Sequence, residues 1–196
     1  MKPASLYGGT KSTTVSALFS CLMTVCPPDQ DCVIINGTAQ CGEACQHYTE
    51  LNDNWLSEYN INGNSYCSGN YYSPEGWYRM FVGQTSAQIP ETCVQDSRCS
   101  IYNRLQMTQP HPTQYNQTVT RSLCYSYGSY CCSDTSSYSI KVKFCYGDYY
   151  VYKLQRLPGC NIAYCAGKPV DEWPHQGDGV GTITIRPAIT VWGPFD

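Results

Sequence analysis

Fourteen cysteines in a chain of 196 residues decide most of what this sequence can become. The number is even, and the set is Cys21, Cys26, Cys32, Cys41, Cys45, Cys67, Cys93, Cys99, Cys124, Cys131, Cys132, Cys145, Cys160 and Cys165. Cytosolic glutathione would keep such a set reduced, so the pattern belongs to an extracellular, oxidising compartment and to a disulfide framework. Zinc is the rival use of many cysteines, and it asks for close Cys-x-x-Cys pairs or for two Cys and two His at short spacing. No Cys-x-x-Cys occurs, and the three histidines, His47, His111 and His175, lie far apart. No metal site and no cofactor are expected.

Leu, Ile, Val and Phe are sparse, so crosslinks are expected to replace part of a core, each contributing about 2–4 kcal/mol by restricting the unfolded chain. Only 14% of residues are charged, against about 25% in ordinary domains. Polar surface therefore falls to Ser, Thr, Asn, Gln and 18 Tyr. A net charge of −3 supplies neither a basic stripe for nucleic acid nor a polybasic patch for acidic lipid. No apolar run of about 18 residues is present, so no membrane span is expected.

The expected fold class is mostly β, small and disulfide-rich: a bridged β-hairpin packed on a cysteine-rich domain with β-strands and at most short helices. Residues 1–20, rich in Gly, Ser and Thr, read as a flexible N-terminal segment. Residues 15–25 read either as a signal-peptide core behind Lys2 and Lys11 or as a folded strand. Parity favours the strand, because cleavage near residue 25 would remove Cys21 and leave an odd count. Residues 21–44 hold the hairpin: Asn36-Gly37 lies between two β-prone runs, and both residues tolerate the positive φ of a type I′ turn. Residues 45–166 form the cysteine-rich domain, with strands predicted over 76–82, 139–144 and 149–154. In the second of these Ile140, Val142 and Phe144 face one way and Lys141 and Lys143 the other, the pattern of a half-buried strand with a wet face. Gly147-Asp148 then turns it back into the third. Leu51 and Trp55, four apart, suggest a short helix over 45–58. Residues 103–120, polar with two prolines, read as an exposed loop. Residues 167–196 read as a linker and an edge strand interrupted by Pro187.

Two N-glycosylation sequons occur, Asn36-Gly37-Thr38 and Asn116-Gln117-Thr118, one on a predicted turn and one on a polar loop, where a glycan can be attached. Catalysis finds no support. There is no Gly-x-Ser-x-Gly elbow for a nucleophile and no His-Glu-x-x-His helix, and Glu50, Asp53 and Glu58, the densest carboxylates, read as solvation. The chain is expected not to be an enzyme. The tyrosines, among them Tyr71, Tyr72, Tyr125, Tyr127, Tyr130, Tyr149, Tyr150 and Tyr152, suit a binding face as well as a small β core.

Several stretches carry a family resemblance. They are Ala44-Cys45-Gln46-x-Tyr48-Thr49-x-Leu51-Asn52-Asp53-x-Trp55, Gly76-Trp77-Tyr78-Arg79-x-Phe81-Val82-Gly83-Gln84 and Pro90-Glu91-Thr92-Cys93-Val94. To these add the vicinal Cys131-Cys132, Tyr149-Tyr150-Val151-Tyr152-x-Leu154 and Cys160-x-x-Ala163-Tyr164-Cys165. From Cys21 to Cys165 the chain resembles the decoy module found in uromodulin and the pancreatic zymogen-granule membrane glycoprotein. That module is a hairpin followed by the domain of eight cysteines, which carries ten. Spacing alone chooses no pairing. The resemblance implies Cys21–Cys32 and Cys26–Cys41 in the hairpin, then Cys45–Cys145, Cys67–Cys160, Cys93–Cys131, Cys99–Cys165 and Cys124–Cys132. It also implies a secreted, extracellular glycoprotein module whose N-glycans are taken by lectins such as bacterial fimbrial adhesins. The family's sequon after Tyr-Val-Tyr is replaced here by Lys153-Leu154-Gln155, which leaves Asn36 as the chief candidate for display. The alternative expectation is a structural or adhesive module that binds extracellular proteins through its Tyr-rich surface.

Overall fold

The computed structural model describes residues 21, 25–52, 57–58, 75–96, 98–99, 101–157 and 162–167, with backbone alone at 133–137. Residues 1–20 and 168–196, and with them the expected N-terminal segment and terminal edge strand, lie outside the described residues. Everything regular among the described residues is strand. β1 (Asp31–Ile35) and β2 (Thr38–Gly42) pair antiparallel about Asn36-Gly37, with φ of 51° and 78°, so the turn takes the conformation the dipeptide favours.

The second sheet contains β3 (Thr49–Leu51), β4 (Gly76–Val82), β5 (Thr85–Ala87), β6 (Asn103–Met107), β7 (Thr118–Tyr127), β8 (Tyr130–Cys145), β9 (Tyr149–Leu154) and β10 (Ile162–Tyr164). Its order is β10-β6-β7-β8-β9-β4-β3, with β5 folded back on β4. The interior pairs are antiparallel, whereas both flanks close with short parallel pairs, β10 on β6 and β3 on β4. β8 turns into β9 through Gly147 (φ 92°) and Asp148 (φ 59°), as the sequence predicts.

Alternation sends two sets of side chains to opposite faces. Tyr78, Met80, Ile140, Val142, Tyr152 and Leu154 join Leu105, Leu123 and Ile89 in the main core. Trp77, Val151 and Cys145 point the other way and pack against Val33 and Ala44, so the hairpin has its own smaller core.

Three expectations are corrected. Residues 49–51 are not helical: they pair with Tyr78–Met80 as β3, and Leu51 packs on the main core. Tertiary pairing here overrides a helix pattern that rested on two residues. Residues 103–120 are not an exposed loop. β6 is a buried strand within them, and Arg104 and Gln106 are 0% and 2% exposed. Their polar groups are satisfied by fixed partners, which makes that burial tolerable. The Arg104 guanidinium donates to Asp96 Oδ1 (3.0 Å), Tyr102 O (2.9 Å) and Gly128 O (3.0 Å). Gln106 Oε1 accepts from Val94 N (3.1 Å) and Ser126 Oγ (3.0 Å). Third, the lysine face of β8 is not wet, because the hairpin covers it.

Candidate functional site

The seat of the hairpin explains how this module holds a display surface still. Lys141 and Lys143 on β8 and Lys153 on β9 share one face of the sheet. Lys143 and Lys153 retain only 2% of their side-chain exposure. Charges so placed need partners, and the hairpin brings them. Asp31 at the start of β1 spans two lysines, with Oδ1 2.5 Å from Lys153 Nζ and Oδ2 2.6 Å from Lys141 Nζ. Glu43, just after β2, sits 2.6 Å from Lys143 Nζ, which also donates to Asp29 O at 3.1 Å. Burial opposes the charge on Asp31, but the two ammonium groups outweigh it and hold its carboxyl below the usual range. Burial in turn pushes Lys153 down against the pull of Asp31. Cys45–Cys145 then staples the end of the hairpin segment to the same face.

Asn36 is the exposed first residue of the hairpin turn, carried on this anchored ribbon. Asn116 is also exposed, with φ of 62°, in a tight turn held to the sheet by Asn116 N–H to Phe144 O (2.7 Å) and Phe144 N–H to Gln117 O (3.2 Å). The two sequons are thus on different supports.

Six disulfides lie among the described residues: Cys21–Cys32, Cys26–Cys41, Cys45–Cys145, Cys93–Cys131, Cys99–Cys165 and Cys124–Cys132. No described cysteine is free. Cys67 and Cys160 lie outside the described residues. The sulfurs of Cys21, Cys26 and Cys41 approach within 4.8 Å of one another. All three are oxidised, in two adjoining bridges, and so offer no thiolate for a metal.

The tyrosines divide. Tyr78, Tyr152 and Tyr164 are core residues. Tyr149 and Tyr48 meet edge to face beside Arg79, whose guanidinium lies 3.8 Å from the Tyr149 ring centre. Tyr102, Tyr127 and Tyr130 are exposed around the β7–β8 turn, where Arg104 ties Tyr102 O to Gly128 O. Tyr146, Tyr115, Phe144, Tyr150 and His111 form a run of stacked or tilted rings with centres 4.3–4.8 Å apart.

His111, which the sequence flags only as an isolated histidine, is structural. It is 6% exposed between Glu91 and Tyr152. Its Nδ1–H donates to Glu91 Oε1, and Nε2 accepts the Tyr152 hydroxyl proton at 2.7 Å, while that hydroxyl oxygen accepts Ile89 N–H at 3.2 Å. This network needs the neutral ring. Burial keeps the His111 pKa below its ordinary value, with Arg121 acting the same way and Glu91 opposing. Glu91 is itself held low by the His111 hydrogen bonds, against its own burial. A folded state that resists protonation is weakened by acid. His111 therefore contributes stability that is lost as pH falls below its unfolded value near 6.5, with a slope of at most about 1.4 kcal/mol per pH unit for one proton. Glu91 adds a further loss below its unfolded value of 4.5. Urea midpoints should drop between pH 7.5 and 5.5 in the wild type and stay nearly level in His111→Gln. An equal drop in both would exclude His111 as the source.

Comparison with known proteins now bears on this arrangement. Residues 78–166 match the family model of the uromodulin-like domain of eight cysteines. The chain is 34% identical over 151 residues to the pancreatic secretory granule membrane major glycoprotein GP2 of Canis lupus familiaris, covering 76% of this chain and 28% of the relative. It is 37% identical over 128 residues to GP2 of Rattus norvegicus, covering 64% of this chain and 23% of the relative. It is 35% identical over 147 residues to uromodulin of Rattus norvegicus, covering 74% and 22%. The chain thus spans about a quarter of the length of the curated relatives it matches. Four of the ten cysteines from Cys45 to Cys165 fall on or beside strands the alternation predicts, and the matched stretch contains β6, β7 and β8 entire. By its sequence and its disulfide-linked sheet, this chain belongs to the uromodulin-like family.

Proposed function

We propose that the chain is an extracellular glycoprotein module that presents N-glycans, chiefly at Asn36, to lectins such as bacterial fimbrial adhesins. The observation that carries this reading is the mounting of Asn36: an exposed turn at the end of a ribbon fixed to the sheet by a shared carboxylate, two further polar contacts and a disulfide. A sugar there is held clear of the protein on a support that does not swing, which lowers the ordering cost of capture. The relatives' names, which include a secretory granule membrane glycoprotein, are consistent with an extracellular glycoprotein.

The test is binding of a mannose-specific fimbrial adhesin to the module secreted from animal cells, in wild type, Asn36→Gln and Asn116→Gln. Loss of most binding in Asn36→Gln is expected. Absence of binding by wild-type protein that carries oligomannose by mass spectrometry would reject the reading for that adhesin class.

A second reading, an adhesive module that binds extracellular protein, is favoured by the exposed cluster of Tyr102, Tyr127 and Tyr130. Partner binding that survives enzymatic removal of glycans and falls in Tyr127→Ser with Tyr130→Ser would support it.

A further inference from the structure

The second sequon stands in a setting unlike the first. A polar cleft of about 400 Å³ opens between the base of the hairpin and the sheet. Its hairpin wall is Pro27 to Asp31, its sheet wall is Lys141, Lys143 and Trp77, and all three sequon residues, Asn116, Gln117 and Thr118, line it. The strand register explains the placement. Thr118 pairs with Lys143 and Thr120 with Lys141, so Thr118 lies on the hairpin side of the sheet. Tyr115, one residue before Asn116, stacks on Phe144, whose neighbours Val142 and Ile140 face the main core.

We infer that an N-glycan on Asn116 seats its first sugars in this cleft, so that the chain's own glycan wedges the hairpin against the sheet. This rests on the reading that the sequons are used. The occupant follows from connectivity: a glycan on Asn116 starts at the wall of the cleft and cannot leave it. The chemistry matches an N-acetylglucosamine unit, which has one apolar ring face, several hydroxyls and an acetamide. The Pro27 and Pro28 rings offer apolar surface, and Gln30, Gln117 and Lys141 offer polar groups. The Trp77 indole N–H, in a residue 3% exposed, has no acceptor among the described residues. An acetamide carbonyl is an acceptor of the kind that group lacks, reached by a small shift of the cleft wall. The volume lies within the roughly 300–1,000 Å³ usual for sites that enclose small ligands.

The consequence is a difference between two glycans on one molecule. The Asn36 glycan is open at its base, whereas the Asn116 glycan is sheltered there. Native protein from animal cells is treated with peptide-N-glycosidase, and release at each asparagine is followed by peptide mass spectrometry. Release at Asn116 should be about tenfold slower than at Asn36, the ratio that 1.4 kcal/mol of protection gives. The two rates should converge after heat denaturation, and Asp31→Ala, which loosens the hairpin, should speed Asn116 alone. A second readout reports on the cleft: the Trp77 indole N–H resonance should shift between wild type and Thr118→Ala, which abolishes the sequon and keeps Asn116. Equal native rates, an unshifted indole or an unglycosylated Asn116 would each overturn the inference. Adhesin binding with equal release rates leaves the display reading standing without the seat. A sheltered Asn116 glycan with no adhesin binding leaves the seat standing without the display.

Discussion

Asp31→Ala is expected to destabilise the protein by about 3 kcal/mol, because removing one member of a buried ion pair strands its partner without water or counter-charge. The stranded group is chiefly Lys153, with 2% of its side-chain exposure, while Lys141, with 34%, can turn to solvent. The loss should read as a lower urea midpoint at pH 7 in reducing-agent-free buffer. The paired replacement Asp31→Leu with Lys153→Met should recover most of it, since apolar groups of similar size commonly replace a buried pair at little cost. A single-variant loss below about 1 kcal/mol, the range of exposed pairs, would mean that the hairpin is not seated on the lysines. Acid should act in the same direction. The folded-state pKa of Asp31 is depressed, so its contribution is complete above the unfolded value of 3.8 and disappears as pH falls through the folded one.

The second large effect belongs to Cys45–Cys145. It joins residues 100 apart, and Cys124–Cys132 joins residues 8 apart. Loop-closure entropy makes the first worth about 4–5 kcal/mol and the second about 2–3 kcal/mol. Cys45→Ser with Cys145→Ser should therefore lower stability by roughly 2 kcal/mol more than Cys124→Ser with Cys132→Ser, by the same length dependence. Equilibrium urea unfolding of the two double variants decides it. If the short bridge proved the costlier, local strain or packing rather than chain entropy would govern this framework.

Local chemistry was legible wherever the decisive partners were near in sequence. Asn36-Gly37 announced the hairpin, and the alternation of Ile140, Val142 and Phe144 placed β8 correctly, with its return through Gly147-Asp148. What failed did so at long range. The lysines of β8 look like a solvent face until Asp31 is brought in from 110 residues away. Two carboxylates on one short ribbon, Asp31 and Glu43, were the available signal, and it has meaning only once the ribbon is known to cover the sheet. β6 was hidden for a related reason. Asn103-Arg104-Leu105-Gln106 is polar by composition, and its burial depends on carbonyls and side chains supplied by residues 94–102 and 126–128. The sequons were plain as tripeptides. That one crowns a turn and the other lines a cleft required the register of Thr118 with Lys143. The pairing of the cysteines could not be chosen from spacing, and the vicinal pair shows why. Neighbours in a strand point to opposite sides. Cys131 accordingly reaches back to Cys93, and Cys132 to Cys124 on the adjacent strand.

The bridge from Cys45 to Cys145 also has a history. A chain entering its oxidising compartment from the N-terminus, at roughly 5–20 residues per second, presents Cys45 on the order of 5–20 s before Cys145 exists. The surface on which the hairpin rests is built from β8 and β9, so it arrives equally late. During that interval the hairpin can close its own two bridges, which span only 11 and 15 residues. Cys45 must meanwhile wait as a thiol among newly emerging cysteines. Correct maturation then depends on how faithfully that one sulfur is kept, or returned, for a partner made last. In cells short of disulfide isomerase, Cys45 is where the first mispaired species should be trapped.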